Sequence, residues 1–311
     1  MITHPPVKIN LGLNVLRKRP DGFHDLETLF VKSGQYSDTL EIVAGDDYSR
    51  TLSRLVALYG ENSAVQGVSD EEVPQLAQGI SPDGKLMITV ARREGVDWNV
   101  LSDLCAKAYM LLDKDFHLPP VKIFLEKTSP VGAGLGGGSA DAAYALKMLD
   151  SLFSLGLPEA SLAEYASVLG SDCAFFIYDV PMTGEGRGEI LSPYNLPARI
   201  VDAGTQDASR SGKDGNGKEV YELQIVVPEG IHVSTAEAYK GIVPAEPGIR
   251  LKDVLRRPVS EWKNLLVNDF EKTVFKAHPE LAAIKQSLYD SGAVYASMSG
   301  SGSALFALYR L

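Results

Sequence analysis

The sequence predicts a two-domain α/β protein, and three observations lead to that fold class. Segments with the alternation typical of strands and segments with the spacing typical of helices are mixed along the whole chain. A glycine-rich segment at 130–141 lies between a predicted strand at 121–125 and a predicted helix at 140–155. With 311 residues the chain is long enough for two domains, which we place at 1–192 and 193–311.

The first half of the chain is predicted to begin with a strand and to contain further strands, a long loop and a helix. Apolar residues at 7–16 alternate with Lys, Asn and Gly, which is typical of a strand buried on one face. Residues 46–84 are polar and acidic, and we interpret them as an excursion from the core built from a hairpin and a loop. Leu and Ala recur at helical spacing within 101–112 and predict a helix there. Further strands in this half are predicted at 26–31, 39–43 and 86–90.

The second half of the chain is also predicted to mix helices and strands. A helix is predicted at 161–169, begun by Ser161 or Pro158. Residues 202–219 are almost wholly Gly, Ser, Asp, Lys and Thr, which indicates a flexible surface loop inside a hairpin. The remaining predictions are strands at 174–178 and 223–227, a turn-rich return at 184–189, helices at 265–270 and 279–291, and two short strands within 295–309.

The composition argues against nucleic-acid-binding, disulfide-rich and membrane-spanning proteins. The net charge of −10 argues against binding of nucleic acid through the overall field of the molecule. The two cysteines, Cys105 and Cys173, stand beside apolar or small residues and do not suggest a disulfide framework. No signal peptide and no membrane-spanning segment is recognisable. We therefore expect a cytoplasmic enzyme, a monomer or weak homodimer, with no nucleic-acid or membrane partner.

The glycine-rich segment predicts an anion site of the kind that binds nucleotide phosphates. Glycines let the backbone approach an oxyanion, and the N–H groups of the first helical turn point toward it. A Walker A loop would need a lysine after Gly138, and Ser139 stands there instead. Gly132, Gly134 and Gly137 satisfy the dinucleotide-binding spacing, but six residues, 126–131, separate the strand from the first glycine. A segment that only caps a helix would not need five glycines.

The same segment closely resembles the phosphate loop of the GHMP small-molecule kinases. The residues that carry the resemblance are Pro130, Gly134, Leu135, Gly136, Gly137, Gly138, Ser139 and Ala140. The resemblance implies a GHMP kinase fold, with an N-terminal ribosomal-protein-S5-domain-2-like domain, a C-terminal ferredoxin-like domain and an active site in the cleft between them. It also implies ATP as co-substrate, held by this loop together with Gly132 and Ser139, and Mg²⁺ bridging the phosphates.

The N-terminal segment resembles one branch of this family. Lys8, Ile9 and Asn10 lie in the predicted first strand, and Asp21-Gly-Phe-His24 follows it at a turn. The similar branch acts in the non-mevalonate isoprenoid pathway, on the 2-hydroxyl of a cytidine-diphosphate derivative of methylerythritol. Phe23 departs from the tyrosine usual in that branch, which keeps a ring for stacking and removes its hydroxyl.

The resemblance implies catalytic roles for two residues. Asp172, in a segment similar to the family's Gly-Ala-Asp-Val-Pro-Phe-Phe, would be the base that accepts the proton of the substrate hydroxyl. Lys8 would keep this aspartate ionised and offset charge on the transferred group. From the residues alone, Asp172 could equally be a turn or capping residue. Lys8 could extend to solvent, although the adjoining Asn10 and the phosphate loop argue against it.

Further roles are carried over in the same way. Lys127 and Asp103 would contact the nucleotide, although Asp103 stands where the family has an asparagine. Tyr239 would stack on cytosine opposite Phe23, and His24 would contact the polar edge of the base. The remaining implied substrate contacts are Asn10, Thr235, Gly300, Ser301 and Gly302. No set of protein side chains is expected to bind a metal by itself.

Three other functions remain open at this level. A GHMP kinase acting on mevalonate or homoserine would have the same loop but not the Asp-Gly-aromatic-His turn, so its turnover of mevalonate would identify it. A nucleotide-binding regulator would bind ATP without turnover, although the pair of Lys8 and Asp172 speaks against it. A nicotinamide-dependent oxidoreductase would bind NAD, which a titration would detect.

Overall fold

The computed structural model describes residues 1–45, 75–178, 180–204 and 212–311. The chain divides into two compact units, each assembled from separate stretches of sequence. The first unit comprises Met1–Pro6, Tyr36–Ser129 and Gly137–Tyr178, and the second comprises Val7–Gln35, Pro130–Gly136 and Asp179–Leu311. The division predicted at residues 192 and 193 stays a prediction. Within the described ranges, no helix is both long enough and apolar enough to cross a membrane.

The first unit contains a five-stranded sheet. Its strands, in spatial order, are β1 Ile2–Thr3, β4 Thr39–Ala44, β7 Val121–Lys127, β6 Leu86–Arg92 and β5 Gln75–Ile80. All neighbours are antiparallel except β6 and β7, which run parallel with Leu86 opposite Val121 and Arg92 opposite Lys127. A helix connects these two strands, as a parallel pair requires.

Helices accompany this sheet. They are α1 Leu104–Phe116, α2 Gly137–Phe153 and α3 Glu159–Leu169, with 3₁₀ turns at Val100–Ser102 and Ala174–Ile177. The helix α2 buries small residues such as Ala140 and Ala143 together with Leu146 and Leu149. These short side chains let α2 pack closely beside α1 and α3.

The second unit contains two four-stranded sheets. One has the order β2 Pro6–Lys18, β3 His24–Ser37, β8 Met182–Glu185 and β9 Ile190–Pro193. The other has the order β10 Arg199–Asp202, β11 Val220–Val226, β13 Leu305–Arg310 and β12 Tyr295–Met298. The unit's helices are α4 Thr235–Tyr239, α5 Leu251–Leu255, α6 Glu271–Ala277 and α7 Pro279–Asp290, with a 3₁₀ turn at Val259–Asn264.

One core cluster of the second unit joins distant parts of the sequence. Leu13 and Val15 of β2 pack with Phe270, with Val274 of α6 and with Leu305 of β13. Backbone bonds reinforce this packing, because Leu13 donates to the carbonyl of Val267 at 2.8 Å and accepts from the N–H of Asp269 at 2.8 Å. The N-terminal strand is thereby fixed to the C-terminal third of the chain.

Most predicted elements are confirmed, and three local predictions are wrong. Residues 174–177 form a buried 3₁₀ turn instead of a strand, because a short apolar run packs equally well in either form and here it lies against helices. Residues 265–270 are irregular, since the side chain of Asn268 accepts the N–H of Phe270 and diverts the backbone from a helix. The third is the hairpin predicted around 202–219, because the flanking strands β10 and β11 run parallel.

Smaller differences concern the ends of elements. The helix predicted at 101–112 begins at Leu104, after a 3₁₀ turn, and α2 begins at Gly137. Of the two residues proposed to begin the helix α3, Pro158 is the one at its N-cap. Most of the polar excursion predicted at 46–84 and the positions 205–211 lie outside the described residues, while Gln75–Ile80 forms an edge strand.

Candidate active site

The glycine loop runs from the end of β7 to the start of α2, as predicted. Gly132, Gly134 and Gly136 all have φ near +70°, with values of 72°, 77° and 70°. This left-handed conformation is costly for residues with a Cβ atom, so the alternate glycines allow the backbone to turn repeatedly within a few residues. Its exit is the N-terminus of a seventeen-residue helix with no acidic side chain in its first turn. That is the arrangement expected for binding an anion.

The middle of the loop packs against the Ser299–Gly302 segment. A Cβ atom on Gly134 would lie 2.2 Å from the carbonyl oxygen of Ser299 and 3.0 Å from the amide nitrogen of Gly302. The hydroxyl of Ser299 donates to the Gly134 carbonyl at 3.0 Å, and the Ala304 N–H donates to the Ala133 carbonyl at 3.1 Å. The structure therefore brings two glycine motifs, 165 residues apart, into direct contact.

Lys8 lies beneath this contact. Its ammonium is buried and donates to the Gly134 carbonyl at 2.9 Å and to Asn10 Oδ1 at 2.5 Å. The backbone N–H of Lys8 donates to the Leu135 carbonyl at 2.9 Å. A buried ammonium is costly unless its protons are accepted, and here carbonyl oxygens accept them. The sequence left open whether Lys8 extends to solvent, and its buried ammonium excludes that possibility.

Asn10 is fixed from both sides. Its Oδ1 accepts from Lys8, and its Nδ2 donates to Thr28 Oγ1 at 3.0 Å, which in turn donates to the Gly12 carbonyl at 2.6 Å. The amide thus positions the lysine within the protein. A direct role of Asn10 toward substrate stays a prediction.

Asn268 is a residue of this region that sequence analysis missed. It is buried, and its Nδ2 donates to the carbonyls of Met298 and Gly300 at 2.8 and 2.9 Å. These bonds fix the Ser299–Gly302 segment where it meets the glycine loop. The sequence does carry one signal, because Asn268-Asp-Phe-Glu271 resembles an Asn-Asp-Leu-Glu tetrapeptide of the GHMP kinases. A helix start with an acidic first turn explains the same residues at least as well from sequence alone.

Lys127 is enclosed by carboxylates. Its ammonium contacts Asp38 Oδ2 and lies 2.6 Å from Asp141 Oδ2, and only 5% of the Lys127 side chain is exposed. Burial opposes the charge of this lysine, but Asp141 and Asp38 outweigh burial, so the pKa of Lys127 is raised. Its protons are directed at these carboxylates, and a contact of Lys127 with the nucleotide stays a prediction.

The start of α2 carries the other predicted phosphate contacts. Gly138 is exposed and Ser139 partly buried, whereas Ala140 is fully buried and anchors the turn. Burial raises the pKa of the nearby Cys173 thiol to about 12. Both cysteines are buried free thiols.

Asp172 lies in a turn between α3 and the 3₁₀ turn that follows. The N–H of Cys173 donates to the Gly170 carbonyl at 3.1 Å, and the side chain of Cys173 is completely buried. This buried neighbour fixes the turn, while Asp172 itself is partly exposed. Asp172 belongs to the first unit and Lys8 to the second.

Asp103 caps α1. Its Oδ1 accepts from the Cys105 N–H at 2.9 Å, and its Oδ2 accepts from Trp98 Nε1 at 3.2 Å. This is the usual function of an aspartate at a helix N-cap. A nucleotide contact by Asp103 stays a prediction, and the capping bonds explain the residue without it.

The aromatic residues predicted to contact cytosine lie in the second unit. The Tyr239 ring stacks on His24, with centroids 4.7 Å apart and an interplanar angle of 20°, and meets Phe270 edge-on. Phe23 is 54% exposed, and the guanidinium of Arg187 lies 5.0 Å from its ring centroid. The two rings therefore belong to two separate stacks, and the sandwich of cytosine between Phe23 and Tyr239 stays a prediction. The pKa of His24 is lowered by burial and by Lys18, which favours a neutral imidazole.

The remaining predicted substrate contacts lie in the second unit. Thr235, the first residue of α4, has its hydroxyl 3.5 Å from that of Ser301. Gly300 could not carry a Cβ without lying 3.0 Å from the Gly134 carbonyl oxygen, and Gly302 has a φ of 87°. Lys8, Asn10, the 130–136 part of the loop and Ser299–Gly302 therefore form one connected cluster within this unit.

Gly134 offers a test of this cluster. Gly134→Ala should lower stability by about 1–2 kcal/mol from its left-handed backbone, and by a further amount of order 1–3 kcal/mol from overpacking against Ser299. Gly132→Ala is the matched control, because Gly132 has a similar φ of 72° but nothing within 4 Å of its added Cβ. Chemical denaturation of both variants measures the difference, and equal losses would mean that the contact with Ser299 is not tight.

Two protein-family models match the chain. The GHMP kinases N terminal domain matches residues 103–180, and the GHMP kinases C terminal domain matches residues 251–310. The first match covers the glycine loop and Asp172, and the second covers Asn268 and Ser299–Gly302.

Full-length relatives carry a more specific name. The chain is 42% identical to a 4-diphosphocytidyl-2-C-methyl-D-erythritol kinase of Bacteroides fragilis over 309 residues, which are 99% of this chain and 92% of the relative. It is 41% identical to the protein of the same name from Bacteroides thetaiotaomicron over 310 residues, 100% of this chain and 92% of the relative.

Solved structures of GHMP kinases are also similar to this chain. A crystal structure of 4-(cytidine 5'-diphospho)-2C-methyl-D-erythritol kinase matches with a TM-score of 0.68 and 26% identity, covering 99% of this chain and 90% of that one. The mevalonate kinase of Methanococcus jannaschii matches with a TM-score of 0.55 and 13% identity, covering 99% and 90%. The second likeness shows the fold alone.

Proposed function

The chain belongs to the family of 4-diphosphocytidyl-2-C-methyl-D-erythritol kinases, a branch of the GHMP kinases, and from this membership we propose that it phosphorylates the 2-hydroxyl of 4-diphosphocytidyl-2-C-methyl-D-erythritol. It is an ATP-dependent phosphotransferase, and its reaction is a step of non-mevalonate isoprenoid precursor biosynthesis. The further roles of single residues below are part of the proposal.

One observation supports this function most directly. The ammonium of Lys8 is buried and bonded to the Gly134 carbonyl of the glycine loop itself, 2.9 Å away. Burying such a charge is costly, and the cost is offset where the ammonium faces a negative group, as it would at a transferred phosphoryl group. A regulator that only bound nucleotide would have no comparable need for the lysine at this point.

ATP would bind through the loop and the start of α2. The N–H groups from Gly136 to Ala140 would donate to phosphate oxygens, and the partial positive charge of the helix N-terminus would favour them. Mg²⁺ would supply positive charge that offsets the charge of the phosphates, and the Ser139 hydroxyl, an oxygen ligand of the kind that Mg²⁺ prefers, would help to hold it. No cluster of three or more metal-binding side chains occurs among the residues with described positions.

Asp172 would act as the base for phosphoryl transfer. The 2-hydroxyl oxygen attacks the γ-phosphorus of ATP, the bond from this phosphorus to the bridging oxygen breaks, and ADP leaves. The hydroxyl proton passes to the carboxylate of Asp172, which lies partly exposed in its turn and can accept it. Lys8 would offset the charge that develops on the transferred group.

The cytidine end of the substrate would meet the aromatic residues near the N-terminal turn. Tyr239 and His24 form one stack and Phe23 with Arg187 another, and a base could add to either face. His24, kept neutral by its lowered pKa, offers one donor and one acceptor to the polar edge of cytosine. Thr235 and Ser301 would supply hydroxyls close by.

Cellular context completes the proposal. The enzyme would work in the cytoplasm, as a monomer or weak homodimer, without a nucleic-acid partner. The net charge of −10 supports the last point, because it repels the phosphate backbone.

ATP consumption by the purified protein, with 4-diphosphocytidyl-2-C-methyl-D-erythritol and Mg²⁺, tests the function. We expect turnover in the range typical of enzymes, about 1–10³ per second, and release of ADP in equal amount to product. Mevalonate and homoserine serve as competing alcohols. Turnover of either one, with none of the cytidine-containing substrate, would replace the proposal.

Phe23 tests the recognition of cytidine. Phe23→Ala removes a half-exposed ring, and we expect the KM for the cytidine substrate to rise about 5- to 100-fold, corresponding to the loss of about 1–3 kcal/mol of stacking. The KM for ATP should stay the same. Phe116→Ala is the control, since Phe116 is also exposed but lies in the first unit, beside Tyr165. Equal changes in both KM values would give Phe23 a structural role.

A further inference from the structure

A buried carboxylate lies where the chain enters the glycine loop. Asp38, between β3 and β4, has no exposed surface. Its Oδ1 accepts the backbone N–H groups of Thr128 and Ser129, both at 2.7 Å, and its Oδ2 accepts the Ser129 hydroxyl at 2.6 Å. Two consecutive N–H groups bonded to one oxygen fix the direction in which the backbone leaves β7.

The two ends of the glycine loop, Ser129 and Gly137, meet beside Asp38. A Cβ atom on Gly137, the first residue of α2, would lie 2.5 Å from Ser129 Oγ and 3.5 Å from Asp38 Oδ2. The two ends of the loop are therefore in contact, and the hydroxyl that joins them is itself bonded to Asp38. Displacing the Ser129 side chain would displace the first residue of the helix.

Lys127 connects this junction with the next turn of the helix. Its ammonium contacts Asp38 and also Asp141 Oδ2, at 2.6 Å, four residues beyond the start of α2. Replacing the Asp38 carboxylate by an amide would leave Lys127 with Asp141 alone and would remove the Oδ2 acceptor of the Ser129 hydroxyl. The carboxylate is thus the group on which the loop entrance, the lysine and the helix start all depend.

We propose that Asp38 is a positioning residue for the nucleotide phosphates. It never touches the nucleotide; it fixes the ends of the loop, so that the N–H donors between them are held in the geometry that phosphate oxygens require. Donors of a binding site must be held to within about 0.5 Å of their productive positions, which surrounding bonds achieve. This inference rests on the proposed function of the loop as the ATP site.

The neighbouring Asp141 provides a discriminating comparison. It is as deeply buried as Asp38 and bonded to the same lysine, but its Oδ1 has no hydrogen-bond partner among the described residues. Burial, opposed by Lys127 and reinforced by Asp38, raises the pKa of Asp141 well above its ordinary value. Asp141→Asn therefore replaces a carboxyl group bonded to the same lysine without removing an acceptor from the loop entrance.

Steady-state kinetics of three variants test the proposal. Asp38→Asn should raise the KM for ATP about tenfold or more, with the KM for the cytidine substrate unchanged and kcat at saturating ATP within about threefold. Asp141→Asn should leave the KM for ATP within about twofold. Lys85→Met is the control for a lost lysine–carboxylate pair, because Lys85 pairs with Asp113 beside the start of β6, the opposite end of the sheet. It should lower the melting temperature without changing either KM.

The outcomes separate this inference from the proposed function. A folded Asp38→Asn protein with the wild-type KM for ATP, or an Asp141→Asn protein with an equal rise, would overturn the positioning role. If Asp38→Asn does not fold, Ser129→Ala removes the hydroxyl between the loop ends, and an unchanged KM for ATP would overturn it too. If the wild type shows no turnover, the proposed function fails, and calorimetry with a non-hydrolysable ATP analogue still compares the variants.

Discussion

Replacing Asp172 with asparagine should lower kcat by roughly 10²–10⁴-fold, the usual contribution of a general base. Asparagine keeps the shape of the side chain but cannot take the proton of the 2-hydroxyl. The turn around it should persist, because its neighbour Cys173 is completely buried and its N–H remains bonded to the Gly170 carbonyl. Both KM values should change little, since loop N–H groups and aromatic rings provide the binding.

Glu164→Gln is the matched control for that loss. Glu164 is an exposed carboxylate on α3, the helix that leads into the turn, so its neutralisation changes the charge of the unit by the same amount. The kcat of Glu164→Gln should stay near the wild-type value, so the kcat values of the two variants should differ by the full contribution of the base. Near-normal turnover of a folded Asp172→Asn enzyme would leave Asp172 as a turn residue, and the mechanism would have to be abandoned.

Lys8→Met should lower kcat by about 10²–10³-fold, comparable with the loss of one charge-stabilising group from an active site. The variant also removes the donor to Asn10 Oδ1 and Gly134 O, although the Gly134 carbonyl retains the Ser299 hydroxyl. We therefore expect some loss of stability in addition. Combined with Asp172→Asn, the losses in rate should be less than additive if both residues act on the same step.

The control for Lys8 is Lys32→Met, which removes an exposed lysine from β3 in the same unit. Thermal unfolding of the two variants separates stability from rate, and assays are run well below the lower melting temperature. A folded Lys8→Met protein that turns over like the wild type would restrict Lys8 to a structural bond with the loop.

The parts of the site that could be predicted from sequence are those encoded by local patterns. The strand, the alternate glycines and the helix of the phosphate loop follow one another within about thirty residues, so periodicity and glycine spacing located them. The lysine of β2 was identified because a charge within an apolar strand requires an explanation. Its bond to Gly134, 126 residues away, was not visible.

The rest depends on contacts that no spacing reveals. Asp38 lies 90 residues before Thr128, and Asn268 lies 30 residues before Met298, so only the folded chain shows what they bind. Stacking partners are equally long-range, since Tyr239 stacks on His24 of the N-terminal turn. The apolar run 174–177 was ambiguous for another reason, because four buried residues in succession suit a strand as well as a 3₁₀ turn.

The discontinuous make-up of the second unit affects how the protein is made. Val7–Gln35 leaves the ribosome early, yet it packs and bonds with segments that end at β13, close to the last residue. At the usual 5–20 residues per second, Leu305 emerges roughly 15–50 s after residue 35. Throughout that interval the apolar face of β2 lacks its final partners, so the newborn chain is exposed to association with other chains and to capture by chaperones.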